Sequence, residues 1–258
     1  MAGILNIQLK PTLGDKQINL KKVDLVVLPE FFSTGVHHES FLNASEDENG
    51  GQTIAAVCEL AKKYNTNIIA GTVIEKSGEK LYNTSFAINR NGEIIEKYRK
   101  IHLFSNMGGT EGDRITPGER YVVAQFDFAK VGVAICFDMR YPQHYRKLTQ
   151  MGAEIIVLPT AWIVPNEVYQ DKEALAFAQD TWIAMNKTRA YDNLVYLVSC
   201  NQTGQVNNEF GSIGNSVIVA PTSQILAIAK EDQTAIFADV DLEIVKYYKS
   251  IYPIANID

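Results

Sequence analysis

The chain has 258 residues, of which 46% are hydrophobic and 21% are charged, the composition of a globular protein that can bury a substantial core. Its formal net charge of −6 gives no electrostatic basis for binding nucleic acid or an anionic membrane surface. No apolar run approaches the roughly 20 residues of a membrane-spanning helix, so we expect neither nucleic acid nor a membrane as a partner.

Three cysteines, Cys58, Cys136 and Cys200, are widely spaced and odd in number, which does not fit a disulfide framework. The first eight residues predict a strand rather than the charged and apolar regions of a signal peptide. We therefore expect a reduced, cytoplasmic protein. Because no stretch has the composition of a linker, we expect residues 1–258 to form a single domain.

The first half of the chain alternates short apolar runs with turn residues. Its predicted elements are a strand over 4–8, at most two helical turns over 15–22, a strand over 25–28, a helix over 54–64, strands over 67–74, 81–89 and 93–98, and a long polar loop over 105–119. The strand over 25–28 stops at Pro29, which leaves Glu30 at its carboxyl end.

The second half contains more runs of Val and Ile. Its predicted elements are a strand over 121–128, a strand that ends at Cys136, a helix from about Tyr141 to Gln150, a strand over 154–159, a helix over 173–190, a strand over 194–200, a hairpin over 216–229, a strand over 235–240 and a final helix. Strands that are apolar on both sides need layers above and below them. We therefore predict an α/β protein with sheets inside and helices outside, a four-layer αββα sandwich.

Cys136 lies at the end of a buried strand and is followed at once by polar residues and Pro142. Ligands of α/β proteins bind beyond the carboxyl ends of strands, and the start of a following helix would favour the thiolate over the thiol. The pattern fits a nucleophile, but a free cysteine that only fills space in the core fits it as well. Cys58 lies on an apolar helix face and Cys200 ends a strand, so both are interpreted as structural.

Three charged residues could work with such a nucleophile. Glu30 ends a buried strand, Lys100 lies where a polar strand enters the long loop, and Glu111 lies within that loop. Taken singly, each also fits a solvated surface charge. The histidines do not show the spacing of a metal site, so no metal and no other cofactor is expected; they are His37, His38, His102 and His144.

Taken together, four stretches resemble the nitrilase, or carbon–nitrogen hydrolase, superfamily. They are LPE ending at Glu30, YRKIHLF from Tyr98 to Phe104, Glu111 seven residues before Gly118, and CFDMRYP from Cys136 to Pro142. Shorter matches such as LYNT ending at Thr84 extend the resemblance over nearly the whole chain. The family fold is the αββα sandwich, but here the first outer helix must be shortened or missing because too few residues separate the first two strands.

The resemblance implies that the protein hydrolyses a small carboxamide to a carboxylate and ammonia through a cysteine thioester. Cys136 would be the nucleophile and Glu30 its base. Lys100 and the backbone N–H of Phe137 would stabilise the oxyanion, with Glu111 as a supporting second glutamate. The resemblance also implies a homodimer or a higher homo-oligomer.

The CFDMRYP stretch resembles the ω-amidase-like branch of the family. In this branch Arg140 could bind a substrate carboxylate through two hydrogen bonds, although an ion pair with Asp138 fits the sequence equally well. Trp162, Phe32 and Tyr141 are predicted pocket walls. Two alternatives stay open: an N-carbamoyl-amide hydrolase of the same family, and a non-catalytic binding relative that kept the fold.

Overall fold

The computed structural model describes residues 1–8, 23–36, 41–105 and 110–253. The segment over 15–22, on which the prediction of a shortened or missing first helix depends, lies outside the described residues, as do His37 and His38. None of the helices in the described ranges combines the length and the apolar character that crossing a bilayer requires.

The elements up to the nucleophile candidate are mainly strands. They are, in chain order, β1 (Ala2–Gln8), β2 (Leu25–Val27), β3 (Glu46–Asp47), α1 (Gly51–Tyr64), β4 (Asn67–Ile69), β5 (Val73–Ser77), β6 (Lys80–Ile88), β7 (Ile94–Arg99), β8 (Val122–Gln125) and β9 (Lys130–Val133). A short 3₁₀ helix, Glu111–Asp113, lies within the predicted long loop.

The second half begins with a 3₁₀ helix, Cys136–Arg140. The following elements are α2 (Pro142–Gln150), β10 (Ile155–Pro159), β11 (Ile163–Pro165), α3 (Asn166–Gln170), α4 (Lys172–Asn193), β12 (Tyr196–Cys200), β13 (Thr203–Gln205), β14 (Phe210–Ile213), β15 (Val217–Val219), β16 (Ile225–Ile228), β17 (Thr234–Val240) and α5 (Leu242–Ile251). The sequence analysis missed β3, β11, α3, β13 and β14, none of which is longer than five residues, and it joined β4 and β5 into one predicted strand over 67–74.

The described strands form two large mixed sheets and one small one. The eight-stranded sheet has the order β17-β1-β2-β4-β6-β5-β3, with β7 also paired to β6. The six-stranded sheet has the order β16-β15-β12-β10-β9-β8, and β11, β14 and β13 form the small sheet. Each large sheet has a parallel centre, β1-β2-β4 in one and β12-β10-β9 in the other. The predicted α/β class is confirmed.

The two large sheets share one apolar core. Ile4 and Val27 of the eight-stranded sheet pack in the same buried cluster as Val131 and Ile155 of the six-stranded sheet. Helix α1 packs Ile54, with Val57 and Ala61 on the same face, on the outer side of the first sheet. Helices α2 and α4 cover the outer side of the second sheet through the side chains Tyr145, Leu148, Trp182 and Ala190.

The central strands of the two sheets end near each other. Glu30 follows β2 and Ala161 follows β10, and the backbone N–H of Ala161 donates to Glu30 Oε2 at 2.9 Å. Each strand end carries the Leu-Pro pair that appears twice in the sequence, at Pro29 and Pro159. The carboxyl ends of both sheets therefore open into one shared space, which is where the candidate site lies.

Candidate active site

Glu30, Lys100, Glu111 and Cys136 are far apart in the sequence but converge in one buried cluster. Lys100 Nζ donates to Glu30 Oε1 at 2.9 Å and to Glu111 Oε2 at 2.8 Å. The charge of the Glu30 carboxylate acts directly on the thiol of Cys136. All four residues are at least nine-tenths buried. The fold therefore brings a sulfur, two acids and an ammonium group into contact.

Cys136 occupies a sharp turn between β9 and the helix that follows. Its φ is +43°, in the left-handed region that non-glycine residues rarely adopt. A backbone of this kind costs on the order of 1–3 kcal/mol and persists only where its surroundings hold it. The 3₁₀ helix Cys136–Arg140 and then α2 follow directly, so the N–H of Phe137 lies in a first turn, where backbone donors lack partners within the helix.

Three donors that the sequence analysis missed hold the acidic pair. Asn83 Nδ2 donates to Glu30 Oε1 at 2.8 Å and to Glu111 Oε1 at 2.9 Å. The backbone N–H of Phe104 donates to Glu111 Oε2 at 2.8 Å, and that of Ala161 donates to Glu30. Asn83 lies in the LYNT stretch, which was noted only as a match. The backbone donors carry no side-chain signal that a sequence could show.

The charges in the cluster set the protonation of each group. Burial raises the pKa of Glu30, and the neighbouring Glu111 carboxylate adds to this rise against the opposing charge of Lys100. Burial would lower the pKa of Lys100, but the charges of Glu111 and Glu30 outweigh it, so this pKa lies well above its ordinary value. Burial would raise the pKa of Glu111, but Lys100 and Asn83 keep it low. Lys100 therefore stays an ammonium group at neutral pH.

The thiol of Cys136 does not have the low pKa that its place before a helix suggested. Burial raises its pKa well above the usual value, and the nearby Glu30 carboxylate raises it further. The expectation of a favoured thiolate was wrong because burial and a facing negative charge outweigh the start of a short helix. Cys136 rests as a thiol whose proton faces a base.

A cavity of about 900 Å³ opens from Cys136 to the protein surface. Phe137, Arg140 and Trp162 line it, and most of its remaining wall is apolar and comes from β11, α3 and α4. The Arg140 guanidinium lies over the Trp162 ring, 5.5 Å from its centroid. No ion pair of Arg140 is found among the described residues, and Asp138 binds Tyr98 and His102 instead. The Arg140–Asp138 ion pair, which the sequence left open as an alternative, is not present.

Phe32 and Tyr141 do not line this cavity, so their predicted place in its wall is corrected. Phe32 packs against the apolar cluster beneath α1. Tyr141 stacks on the ring of His102, with 3.6 Å between the centroids. Both residues neighbour catalytic motifs in the sequence, but their side chains leave the backbone in other directions. Proximity along the chain was a poor guide to which surface each ring covers.

Three side chains of metal-ligand type meet next to the cluster. Potential ligand atoms of His102, Asp138 and His144 lie within 4.8 Å of one another, a grouping that sequence spacing did not reveal. His102 Nδ1 is 2.6 Å from Asp138 Oδ1, whereas two ligands of one tetrahedral zinc ion are roughly 3.3 Å apart. His102 and Asp138 are hydrogen-bonded to each other, whereas His144 Nδ1 lies 3.8 Å from Asp138 Oδ1, beyond hydrogen-bond distance. The absence of a metal cofactor stays a prediction.

Comparisons with known proteins show which family this chain resembles. A family profile described as Carbon-nitrogen hydrolase matches residues 16–250. Omega-amidase NIT3 of Saccharomyces cerevisiae is 28% identical over 274 residues, which cover 97% of this chain and 90% of that protein. The 2-oxoglutaramate amidase of Bacillus subtilis is 31% identical over 224 residues, which cover 86% of this chain and 80% of that protein.

Solved structures show the same fold. The crystal structure of Saccharomyces cerevisiae Nit3, described as a member of branch 10 of the nitrilase superfamily, matches with a TM-score of 0.80 and 26% identity. The match covers 98% of this chain and 94% of that one. The architecture described above is therefore a nitrilase-like α/β fold with two mixed sheets.

Proposed function

The chain belongs to the carbon–nitrogen hydrolase family, and from that premise we propose that it hydrolyses a small carboxamide to a carboxylate and ammonia through a cysteine thioester. The observation that carries the proposal is the position of Lys100 Nζ between Glu30 and Glu111, with the Cys136 thiol close enough for the Glu30 charge to act on it. We assign Cys136 as the nucleophile, Glu30 as the base and Lys100 as a fixed positive charge, with Cys136 on the wall of the cavity.

In the first half of the reaction, Glu30 accepts the thiol proton as Cys136 Sγ attacks the amide carbonyl carbon. A C–S bond forms, and the negative charge that develops on the carbonyl oxygen is stabilised by Lys100 and the N–H of Phe137. Removing one such donor costs on the order of 3 kcal/mol in the transition state. Glu30 then returns the proton to the leaving nitrogen, the C–N bond breaks, and ammonia and a thioester result.

In the second half, Glu30 removes a proton from water, which attacks the thioester carbon. The C–S bond breaks, the carboxylate product leaves, and the Cys136 sulfur recovers its proton. One carboxylate serves as base and acid in turn, and its raised pKa makes it a stronger base than an ordinary glutamate. Glu111 keeps Lys100 in place and charged throughout.

Within this reaction we assign the substrate to the ω-amides of small oxo acids. Arg140 supports this assignment because it lines the cavity with Cys136 and has no carboxylate partner among the described residues, which leaves its guanidinium able to bind a substrate carboxylate. The 2-oxoglutaramate amidase and omega-amidase relatives support it independently. Trp162, beneath the guanidinium, would hold it in place.

Ammonia release from three compounds tests this proposal. We expect turnover of 2-oxoglutaramate to exceed that of pentanamide, a neutral amide of the same chain length, and that of N-carbamoyl-β-alanine. Cys136→Ala should lower the rate by at least roughly a thousandfold, whereas Cys58→Ala should keep it. Preference for the carbamoyl compound would favour the carbamoyl-amide alternative, and no turnover of any amide would favour the non-catalytic one.

The same panel tests Arg140. Arg140→Ala should lower kcat/KM for 2-oxoglutaramate about 10–100-fold and leave kcat/KM for pentanamide within about threefold. Only 2-oxoglutaramate has a carboxylate that Arg140 could bind. Arg120→Ala is the matched control, since Arg120 pairs with Glu96 on the surface away from the cavity. An equal loss on both amides would remove the anchoring role.

We also propose that residues 1–258 form one four-layer domain and that the protein is a homodimer or a higher homo-oligomer. The shared core of the two sheets supports the first statement. Helix α4 supports the second, because Phe177 is 75% exposed and Tyr191 is 58% exposed on it. Light scattering of the purified chain, compared with Phe177→Ser, measures the assembly. A monomer for the wild type would contradict it.

A further inference from the structure

The nucleophile and the lysine of the site belong to different sheets. Cys136 follows β9 in the six-stranded sheet, whereas Lys100 follows β7, which pairs with β6 of the eight-stranded sheet. The distance between Cys136 Sγ and Lys100 Nζ therefore depends on how the two sheets are joined at this point. Asp138, two residues after the nucleophile and fully buried, lies at that junction.

On the nucleophile side, Asp138 closes the turn that carries Cys136. Its Oδ2 accepts a hydrogen bond from the N–H of Ile135 at 2.8 Å, and its own N–H donates to the Ile135 carbonyl at 3.0 Å. The two bonds enclose Cys136 and Phe137. They brace the backbone at the residue whose φ is +43°. A strained turn needs bonds of this kind to keep its shape.

On the lysine side, the same carboxylate binds residues on both flanks of Lys100. The Tyr98 hydroxyl donates to Asp138 Oδ2 at 2.7 Å and accepts from the N–H of Ile101 at 3.1 Å. The N–H of His102 lies 3.1 Å from Asp138 Oδ1, and His102 Nδ1 lies 2.6 Å from the same oxygen. The backbone before and after Lys100 is thus tied to one carboxylate.

We propose that Asp138 is a positioning residue, which sets the place of Cys136 relative to Lys100 by binding the nucleophile turn and the lysine segment with one buried carboxylate. The proposal rests on the function proposed above. A carboxylate suits the task because both of its oxygens face donors, and bonds to a charged acceptor are the stronger ones. An asparagine would turn its NH₂ group towards one pair of these donors.

The ionised state of Asp138 agrees with this role. Burial alone would raise its pKa, but the His102 hydrogen bond, the nearby His144 and the N–H of Ile135 outweigh burial and keep the pKa below its ordinary value. The Asp138 carboxylate is therefore charged at neutral pH, and both of its oxygens accept hydrogen bonds. It does not touch the reacting atoms, so its effect on the reaction passes through Cys136 and Lys100.

Asp138→Asn, measured for kcat, KM and the rate of Cys136 alkylation by iodoacetamide, tests the proposal. We expect kcat to fall at least roughly 100-fold with KM within about threefold, because a misplacement of about 1 Å in the site has an effect of that size. Cys136 alkylation should slow as well, because Glu30 no longer faces the thiol. Asp127→Asn is the matched control, since Asp127 binds Arg90 and Asn67 away from the site and its loss should leave kcat unchanged.

Tyr98→Phe keeps the test decisive if Asp138→Asn does not fold. It leaves the nucleophile turn intact and removes only the hydroxyl that joins Asp138 to Ile101, so kcat should fall about tenfold. A folded Asp138→Asn protein with kcat and alkylation rate within threefold of the wild type would overturn the proposal, as would a kcat loss matched by Asp127→Asn. If the wild type turned over no amide, the alkylation rates would still decide the positioning role while the proposed function failed.

Discussion

At the scale of single residues, the candidate site is a buried pair of acids that share one cation. Glu30 and Glu111 both accept from Lys100 Nζ and from Asn83 Nδ2. One ammonium group does not neutralise two carboxylates. The repulsion between the two carboxylates therefore adds to the raised pKa of Glu30, whereas the pKa of Glu111 stays low, and Glu30 is the group that exchanges protons in the proposed reaction.

Glu111→Gln should therefore move the acid limb of the profile of kcat/KM against pH to lower pH. Glu111 raises the pKa of Glu30, so its removal lowers the pH at which Glu30 becomes protonated and inactive as a base. The maximal kcat/KM should fall as well, because Lys100 loses its bond to the Glu111 carboxylate. Asp113→Asn, an exposed carboxylate in the same 3₁₀ helix, is the control and should leave the limb in place. A limb that stays or moves to higher pH would contradict the charge coupling.

At the scale of elements, another buried carboxylate, Glu75, joins three strands of the eight-stranded sheet. Glu75 on β5 accepts from Thr84 Oγ1 on β6 at 2.6 Å, from Lys97 Nζ on β7 at 2.7 Å and from Arg99 Nη2 at 2.5 Å. The same strand β7 leads directly to Lys100. The network therefore stabilises the strand that delivers the lysine to the site.

Glu75→Gln should lower the free energy of unfolding at pH 7 by about 1–3 kcal/mol, the cost of hydrogen bonds to charged groups. Burial would raise the pKa of Glu75, but the bonds from Arg99 and Lys97 lower it below 4.5. A depressed pKa gives stability that is present above the unfolded pKa and lost as pH falls through the folded one. The difference between variant and wild type should thus shrink below about pH 4.5.

Urea unfolding at several pH values measures this difference. Glu96→Gln is the control because Glu96 pairs with Arg120 at the surface, where an ion pair contributes about 0–1 kcal/mol. A Glu75→Gln difference that stayed constant down to pH 3 would show that the carboxylate charge has no part in holding these strands.

At the scale of the whole molecule, the two large sheets depend on the same core and on bonds that cross it. Asn6 Nδ2 on β1 donates to the Ser199 carbonyl on β12 at 2.8 Å, and Cys200 Sγ donates to the Ile7 carbonyl at 3.0 Å. These contacts join the sheets near the strand ends that carry the site. The site therefore exists only while both sheets are in place.

Ile155→Ala, on β10 in the shared core, should cost about 2–5 kcal/mol of unfolding free energy. The loss of far-UV circular dichroism and the exposure of Cys136 and Cys200 to alkylation should occur in the same transition, because neither sheet keeps its core alone. Ile94→Ala, at a position 40% exposed on β7, should stay within about 0.5 kcal/mol of the wild type. Two separate transitions would contradict a common core.

The sequence by itself determined the local elements and the family. Runs of Val and Ile that stop at Pro29 and Pro159 predict β2 and β10, and apolar spacing predicts α1, because hydrophobic periodicity depends only on chain neighbours. The motifs around Glu30, Lys100, Glu111 and Cys136 resemble those of the carbon–nitrogen hydrolase family, to which the chain belongs.

The tertiary structure decided what surrounds those residues. Asn83, the N–H of Ala161 and the carboxylate of Asp138 reach the site from other strands and loops, and Phe32 and Tyr141 turn away from it. The direction of the Cys136 pKa was mispredicted because burial and the Glu30 charge come from distant segments, while the sequence showed only the helix beside it. Burial, charge and hydrogen-bond partners are set by contacts across the fold, and chain order alone does not contain them.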